Sequence, residues 1–254
     1  MGREAKNPVK TTQRSLDIIE ALQATDGARL TELADRLDLP NSTVHNHLST
    51  LMERDYVFKD GDIYRVSLRF LDLGEHARKR RKIYDLAKPE IRELAEETGE
   101  VANLLVEENG WGVYLWSSEG ENAVPLDIYP GKHVHLHATA VGKCILAHLS
   151  EKRVAEIVER RGLPAETDRT ITDADALADE LETVRNRGYA IDDEERLPGM
   201  RCIGTTVKSE SGNIIGAISV SGPTSVMTMD RLTDSLADQL RGAANVIELK
   251  VAYS

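Results

Sequence analysis

The chain has 254 residues, of which 41% are hydrophobic and 4% aromatic, and its formal net charge is -11. This length favours two domains with cores made mainly of Leu, Ile, Val and Ala. No run approaches the ~20 apolar residues of a membrane helix and no N-terminal stretch resembles a signal peptide, so we expect a cytoplasmic protein without a membrane partner. The two cysteines, Cys144 and Cys202, are too few for a disulfide framework.

The two parts of the chain differ in charge. Residues 1–82 contain 15 Lys and Arg against 13 Asp and Glu, whereas residues 83–254 contain 17 against 30. The first part is therefore mildly basic, which suits contact with DNA phosphates but predicts modest affinity per subunit. The alternative is that the basic residues of the N-terminal arm only form a solvated, disordered terminus. The N-terminal arm holds four basic residues: Arg3, Lys6, Lys10 and Arg14.

Two short helices are predicted in succession. In "LTELADRLDLP", residues 30–40, leucines recur at helical spacing. In "NSTVHNHLSTLM", residues 41–52, a second apolar stripe begins with Val44 and Leu48, and Asn41 is expected to cap the helix. Two helices separated by a Leu-Pro turn predict a helix-turn-helix.

The second of these helices has a polar face, although residues 41–52 include no Asp, Glu, Lys or Arg. Short groups that donate and accept hydrogen bonds suit base edges and phosphates, whereas a solvated helix face more often carries Lys and Glu. An ordinary Ser/Thr-rich surface helix is the alternative interpretation. The face consists of Ser42, Thr43, His45, Asn46 and Ser49.

A hairpin is predicted next, because "YVFKDGDIYRV", residues 56–66, has strand-forming residues on both sides of Asp60-Gly61. Helix, turn, helix and hairpin together predict a winged helix-turn-helix that binds double-stranded DNA. Its second helix would enter the major groove, and Lys59 and Arg65 of the wing would lie near the DNA backbone or minor groove. Ten residues are predicted to contact DNA: Lys10, Arg14, Thr31, Ser42, Thr43, His45, Asn46, Ser49, Lys59 and Arg65.

Residues 68–86 are predicted to form one helix with Leu68, Leu71 and Ile83 on its apolar side. Near its end lies a basic block, Arg78-Lys79-Arg80-Arg81-Lys82, which either contacts phosphate or is a solvated linker face. Pro89 is expected to start or kink the following helix, which Gly99 would terminate.

The remainder of the chain interleaves strands and helices. Hairpin signals occur at Asn109-Gly110 and near residues 211–213, helices are predicted before Gly162 and Gly188, and an amphipathic helix closes the chain. No G-x-G-x-x-G or Walker pattern is present. The pattern predicts an α+β domain without a nucleotide fingerprint.

Several motifs resemble the IclR family of transcriptional regulators in the expected order over residues 10–250. Two departures are Asn46, where the family commonly has Arg, and Lys208, where an aromatic residue or His is usual; the first leaves the operator sequence open. The matching motifs are Gly188, Asp192, Glu195 and Cys202; Thr43-Val44-His45; His137-Ala138 with Gly142-Lys143; and Ser219-Val220-Ser221-Gly222-Pro223.

The resemblance implies a ligand-responsive regulator that binds a palindromic operator as a homodimer or homotetramer. It implies a winged helix-turn-helix over residues 1–67, a linker helix over residues 68–86 and a GAF-like effector domain over residues 87–254, with an antiparallel sheet flanked by helices. The effector would be a small hydroxy, oxo or aromatic acid. The family's pocket positions fall on the backbone of Ala140 and Val141 and on the side chains of Asp192, Cys202, Ser219 and Ser221.

The chemistry of these residues independently suits an organic acid. Residues 140–142 open a predicted helix, so their free N–H groups would bind an anion. Ser219 and Ser221 lie two apart on a strand and share a face. If Asp192 lies beside a bound anion, its carboxylate must either accept a hydrogen bond from a ligand hydroxyl or be protonated. This favours hydroxy acids or hydrated oxo acids as ligands.

Two alternatives compete with this interpretation. Cys202 could act as a nucleophile with His137 and Asp192, as in a thiol-dependent hydrolase, although no nucleophile motif surrounds it. His133, His135 and His137 could hold a metal from one strand face, which would make the protein a metal- or redox-sensing regulator. We expect neither, and predict a regulator that is not an enzyme and has no cofactor or metal.

Overall fold

The computed structural model describes residues 6–254, which separate into two compact units at residues 78 and 79. Each unit has its own hydrophobic core. The core of the first unit is formed by residues between Ile18 and Tyr64, and the cores of the second begin at Ile83. The predicted role of Arg3 falls outside the described residues.

The first unit is a winged helix-turn-helix, as predicted. Its helices and its antiparallel hairpin pack around a single apolar cluster. No residue of its last helix is buried. The elements are α1 (Lys10–Ala24), α2 (Leu30–Leu37), α3 (Asn41–Glu53), β1 (Val57–Asp60), β2 (Ile63–Val66) and α4 (Arg69–Lys79).

The turn between α2 and α3 depends on Asp38, which adopts the left-handed conformation at φ 50°. The carbonyl oxygen of Pro40 then accepts the backbone N–H groups of Thr43 and Val44 at 2.9 and 3.1 Å. The helix therefore starts one residue earlier than predicted. Pro40 occupies the N-cap position and Asn41 is already helical, so the expected Asn41 cap is wrong.

Gly27 fixes the wing to the chain that follows α1. It lies at φ +103°, and a Cβ there would come within about 3 Å of the Ile63 and Arg65 side chains and the Tyr64 carbonyl. Ala28 pairs with Tyr64 like a short third strand. Only glycine combines this conformation with this close approach, so the turn after α1 and β2 hold one another in place.

The predicted single helix over residues 68–86 is in fact interrupted. Helix α4 ends at Lys79, residues 80–82 form a turn, and α5 (Ile83–Thr98) begins at Ile83 and contains Pro89 in its interior. Like charges three and four positions apart, which the basic block contains, disfavour a continuous helix there. The expected apolar side of the first segment is also wrong, because Leu68 and Leu71 are 84% and 65% exposed.

The second unit contains a six-stranded antiparallel sheet in the order β5-β4-β3-β8-β7-β6. The hairpin at Asn109-Gly110 forms as predicted, with both residues at positive φ. The sheet separates two apolar layers, as expected for a sheet with helices on both faces. The strands are β3 (Val101–Glu108), β4 (Trp111–Glu119), β5 (His133–Val134), β6 (Ala190–Asp193), β7 (Met200–Lys208) and β8 (Ile214–Pro223).

Helices α5 and α10 cover one face of the sheet, and α6, α7 and α8 contribute to the core on the other. None of the helices in residues 6–254 is long and apolar enough to span a lipid bilayer. The remaining helical elements are a 3-10 turn (Leu136–Ala138), α6 (Ala140–His148), α7 (Glu151–Arg161), α8 (Ala174–Arg187), α9 (Met229–Arg231), a π-helical turn (Leu232–Leu236) and α10 (Ala237–Ala252).

Candidate functional site

The outward face of α3 is formed by the polar residues that the sequence singles out. Ser42, His45 and Asn46 are exposed, whereas Thr43 and Ser49 are half-buried beside them. On the opposite side of the helix, apolar residues including Val44 and Leu48 anchor it in the core. A rigid helix therefore presents uncharged donors and acceptors to solvent, the arrangement needed to contact base edges in a major groove.

The other predicted DNA contacts lie on three separate elements. Lys10 is exposed and Arg14 half-buried on α1, four residues apart and so on one side of the helix, and Thr31 is exposed at the start of α2. Lys59 is exposed on β1, 3.9 Å from the carboxylate of Asp62.

Arg65 differs from these residues, because its guanidinium is held within the unit. It donates a hydrogen bond to the backbone oxygen of Asp26 and lies 3.4 Å from the Asp26 carboxylate. A second internal contact links α1 to α3, where the Ser15 hydroxyl lies 2.8 Å from Nδ1 of His47. Sequence reasoning missed this pair.

Four predicted effector residues meet on one face of the sheet in the second unit. Asp192 of β6 lies directly opposite Cys202 of β7, and Cys202 lies directly opposite Ser221 of β8. The Ser221 hydroxyl donates to the Cys202 sulfur at 3.1 Å. Ser219, two residues along β8, shares the face with Ser221. The register therefore brings together side chains that lie up to 29 positions apart in the sequence.

Asn103 of β3 joins this group, although sequence reasoning missed it. It is fully buried, and its Nδ2 atom lies 3.4 Å from the Ser219 hydroxyl and 3.5 Å from that of Ser221. Its Oδ1 accepts a hydrogen bond from Ser117 of β4 at 2.9 Å. The signal available in the sequence was a single amide within the apolar run "VANLLV". A buried amide must find partners, so it marks a polar patch on the sheet.

The start of α6 supplies two backbone donors rather than the three predicted. The Thr139 hydroxyl caps the helix and accepts the Gly142 N–H at 3.0 Å, so that amide is already satisfied. Within residues 6–254, the N–H groups of Ala140 and Val141 have no hydrogen-bond acceptor. Gly204 of β7 lets the helix approach the sheet, because a Cβ there would come within 3.1 Å of the Val141 nitrogen.

Asp192 is buried and bound to the loop that follows β6. Its Oδ1 accepts the backbone N–H groups of Glu195 at 2.7 Å and Arg196 at 3.3 Å. Burial and the neighbouring Glu195 charge raise the pKa of Asp192 from 3.8 to about 7. The carboxyl is thus partly protonated near neutral pH, and it can donate to or accept from a bound acid.

A buried ion pair lies behind this loop. Lys143 of α6 is 1% exposed, contacts the Glu195 carboxylate and lies 3.3 Å from that of Glu180. Burial raises the pKa of Glu195, which the Lys143 ammonium opposes. The pair joins α6, whose first turn carries the free amides, to the loop that holds Asp192.

Tyr114 and Arg196 form a further polar contact of this loop that the sequence did not indicate. Tyr114 is buried in β4, and its hydroxyl accepts a hydrogen bond from the Arg196 guanidinium at 3.0 Å. Burial raises the pKa of the Tyr114 hydroxyl, so it stays protonated. Tyr114 and Cys202 belong to the same core layer, so the hydroxyl lies on the face of the sheet that carries the polar patch.

The three histidines proposed as metal ligands do not share a strand face. Strand β5 ends at Val134, and His137 lies in the 3-10 turn with its Nε2 atom 3.0 Å from the Pro164 oxygen. The His135 ring packs against Trp111, with ring centroids 4.6 Å apart. Residues 6–254 contain no group of three or more His, Cys, Asp or Glu placed to hold a metal ion. The strand-face premise was therefore wrong.

The environment of Cys202 does not favour nucleophilic chemistry. Burial and the charge of Asp192 raise the pKa of the Cys202 thiol to about 11, whereas a nucleophilic cysteine requires a thiolate. His137, the base that sequence reasoning considered, directs its Nε2 atom at Pro164 instead. Cys202 lies in the polar patch as a neutral thiol that accepts from Ser221.

Comparison with known proteins identifies both units. A family model described as the IclR helix-turn-helix domain matches residues 11–61, and one described as the C-terminal part of the bacterial transcriptional regulator IclR matches residues 75–249. The chain is 35% identical over 254 residues to the HTH-type transcriptional regulator BhcR of Paracoccus denitrificans, covering 99% of this chain and 91% of BhcR.

Solved structures agree with the fold. The crystal structure of the Thermotoga maritima IclR matches with a TM-score of 0.78 at 28% identity, covering 96% of this chain and 99% of that one. An IclR homolog from Microbacterium hydrocarbonoxydans, solved in complex with 4-hydroxybenzoate, matches with a TM-score of 0.82 at 21% identity, covering 96% and 100%. These likenesses confirm the predicted fold class.

Proposed function

Because this chain belongs to the IclR family of transcriptional regulators, we propose that it binds a palindromic operator as a dimer or tetramer and responds to a small organic acid. Its family and its relative BhcR are regulators, so the prediction that the chain is not an enzyme is confirmed. The acid would change the populations of arrangements that differ in operator affinity.

The observation that carries the DNA-binding proposal is the uncharged outer face of α3. Ser42, His45 and Asn46 project from a helix whose other side is fixed in the core, and no carboxylate lies among them to repel phosphate. Lys10, which is exposed, and Arg14, which is half-buried, would bind the DNA backbone, because cations at the surface of a mildly basic unit interact with phosphate irrespective of sequence.

Pairing of subunits is supported by the surface of α4. No residue of this helix is buried, yet Leu71 and Leu73 are exposed on it and Leu68 is exposed just before it. Leucines clustered on an exposed helix bury favourably against a second apolar surface. We therefore propose that two chains associate through α4, which would present two copies of α3 to the two halves of an operator.

A small acid as effector is supported by the chemistry of the sheet face. The amides of Ala140 and Val141 suit a carboxylate, and the hydroxyls of Ser219 and Ser221 suit an adjacent hydroxyl or oxo group. Asp192, partly protonated near pH 7, can share a hydrogen bond with such a ligand. The Microbacterium homolog, solved with 4-hydroxybenzoate, makes aromatic hydroxy acids a natural part of the ligand panel.

Asn46→Ala is expected to lower discrimination between operator and unrelated DNA about tenfold, since a side-chain amide can read adenine through two hydrogen bonds. Arg14→Ala is expected to weaken binding to all DNA about equally and to reduce the salt slope by about one. The measurement is fluorescence anisotropy with fragments from upstream of the chain's own gene and of neighbouring genes, at several salt concentrations.

Thr50→Ala is the matched control for Asn46, because the Thr50 hydroxyl on the same helix is turned back to the Asn46 carbonyl at 2.9 Å. This variant should behave like the wild type. If Asn46→Ala and Arg14→Ala gave the same salt dependence and the same loss on every fragment, α3 would not be the helix that reads bases.

Ser219→Ala is expected to weaken binding of the effector acid about tenfold, because it removes one hydrogen bond to a charged or strongly polar ligand. Hydroxy acids, oxo acids and aromatic acids including 4-hydroxybenzoate would be titrated by calorimetry, and active compounds would then be tested for releasing or tightening DNA. Ser235→Ala, at an exposed serine of the C-terminal helical segment, is the control. An unchanged affinity in Ser219→Ala would place the acid elsewhere.

A further inference from the structure

A groove of about 420 Å³ lies at the end of the sheet where β3 finishes and β8 begins. It is separate from the polar patch that contains Asp192 and Ser219. Its lining comes from β3, β8, the ends of α6 and α10, and the turn between α4 and α5. The lining residues are Arg80, Arg81, Lys82, Ile83, Val106, Glu107, Ile145, Leu149, Ile214, Ile215, Gly216 and Val251.

The body of the groove is apolar. Val106 and Ile145 are buried, and Ile214, Ile215 and Val251 are half-buried, so part of their surface remains open to a ligand. Covering this apolar surface with a ligand is favourable by about 25 cal/mol per Å². The groove therefore favours an occupant with an apolar body.

One end of the groove is cationic. Arg80, Arg81 and Lys82 are all exposed there. Arg81 lies 3.2 Å from the carboxylate of Glu108, whereas neither Arg80 nor Lys82 has an ion pair within the part of the chain that the structure describes. The groove's own carboxylate, Glu107, is engaged by Arg153 at 2.9 Å. Two positive charges thus remain uncompensated, although residues 83–254 contain 30 acidic residues against 17 basic ones.

A second groove, between α7 and α8, shows that a cationic rim is not a general property of the grooves on this unit. It measures about 550 Å³ and also has an apolar floor, but its edge carries Glu151, Asp179 and Glu182 among other charged residues. Two apolar grooves of the same unit therefore have rims of mainly opposite charge. The cationic rim selects the sign of the ligand that can enter the first groove.

We propose that the groove at residues 80–83 binds a small molecule with an apolar body and one carboxylate, such as a medium-chain fatty acid or an arylalkanoic acid. The carboxylate lies between Arg80 and Lys82, and the apolar body covers Ile214, Ile215 and Val251. The basic block then has a third role besides phosphate contact and solvation. The lining of the groove belongs wholly to the second unit. The ligand binds there independently of the proposed acid site on the sheet.

The proposal is tested by calorimetric titration of the full chain with octanoate and 4-phenylbutyrate, both below the concentrations at which they aggregate. The expected result is saturable binding of each carboxylate at a site that Ser219→Ala leaves intact, and no binding of octylammonium, which has the same apolar length as octanoate and the opposite charge. The double variant Arg80→Glu with Lys82→Glu should bind about tenfold more weakly, since two favourable contacts become repulsive.

Lys152→Glu with Arg160→Glu is the matched control, because both residues are exposed on α7 and the change in net charge is identical. Val251→Trp, at the end of α10, fills the apolar part of the groove and should also abolish binding. Ser219→Ala should leave octanoate affinity unchanged, which separates this site from the proposed acid site.

Three results would overturn the proposal. The first is the absence of saturable binding for both carboxylates, and the second is an equal loss in the α7 control. The third is a change in molecular mass by light scattering for the groove variant without an effect on octanoate, which would make the groove a contact between copies of the chain.

Discussion

Lys143→Met is expected to lower the free energy of unfolding of the second unit by about 3–5 kcal/mol, the cost of removing one partner from a buried ion pair. Lys143 is almost fully buried, and its loss leaves the Glu195 carboxylate without its cation. One oxygen of that carboxylate, Oε2, already has no hydrogen-bond partner within residues 6–254. In the variant, folding would favour the protonated form of Glu195. The loss of stability relative to the wild type should therefore grow as the pH rises from 5 to 8.

The measurement is urea unfolding followed by tryptophan fluorescence. Both tryptophans, Trp111 and Trp116, lie on β4, so the signal reports the second unit alone. Lys152→Met, at an exposed lysine of α7, is the control and should change the free energy by less than about 0.5 kcal/mol. The double variant Lys143→Met with Glu195→Gln should recover part of the loss. A loss below about 1 kcal/mol in Lys143→Met would contradict the buried pair.

Asp192→Asn is expected to remove a large part of the pH dependence of stability. The pKa of Asp192 rises from 3.8 to about 7 in the folded chain, so its protonated form is the one that folding favours. Stability from this group is complete below about pH 4 and is lost as the pH rises through 7. Between pH 5 and pH 8 the wild type should therefore lose about 2–3 kcal/mol more than the variant.

The variant tests charge rather than geometry, because asparagine keeps the oxygen that accepts the N–H groups of Glu195 and Arg196. Asp168→Asn, at an exposed aspartate, should retain the pH dependence of the wild type. Parallel stability curves for the wild type and Asp192→Asn from pH 5 to pH 8 would mean that Asp192 ionises at its ordinary pKa.

The winged helix-turn-helix could be predicted because its signals are local. The apolar stripe through Val44 and Leu48 and the Asp60-Gly61 turn specify helix and hairpin within short windows of sequence. The exact start of α3 could not be predicted, since it depends on Asp38 in the left-handed conformation and on the carbonyl of Pro40.

The proposed acid site could be predicted only in part, because its members come from distant strands. Asp192, Cys202, Ser219 and Ser221 were found through the family motif. Asn103 is 116 positions away from Ser219, and no local pattern gives the pairing of β3 with β8 that brings them together. For the same reason the contacts of Lys143 with Glu195 and of Arg196 with Tyr114 required the register of the folded sheet.

The separation of the hydrophobic cores has a consequence for how such proteins diverge. The core that supports α3 ends before α4, and the cores that support the proposed acid site begin at Ile83. Substitutions that reshape the proposed acid site change the stability of the second unit and leave the packing of the first intact. Descendants of one ancestral chain can therefore change the signal they answer to while keeping the DNA sequence they recognise, and a new regulatory circuit can arise by altering one half at a time.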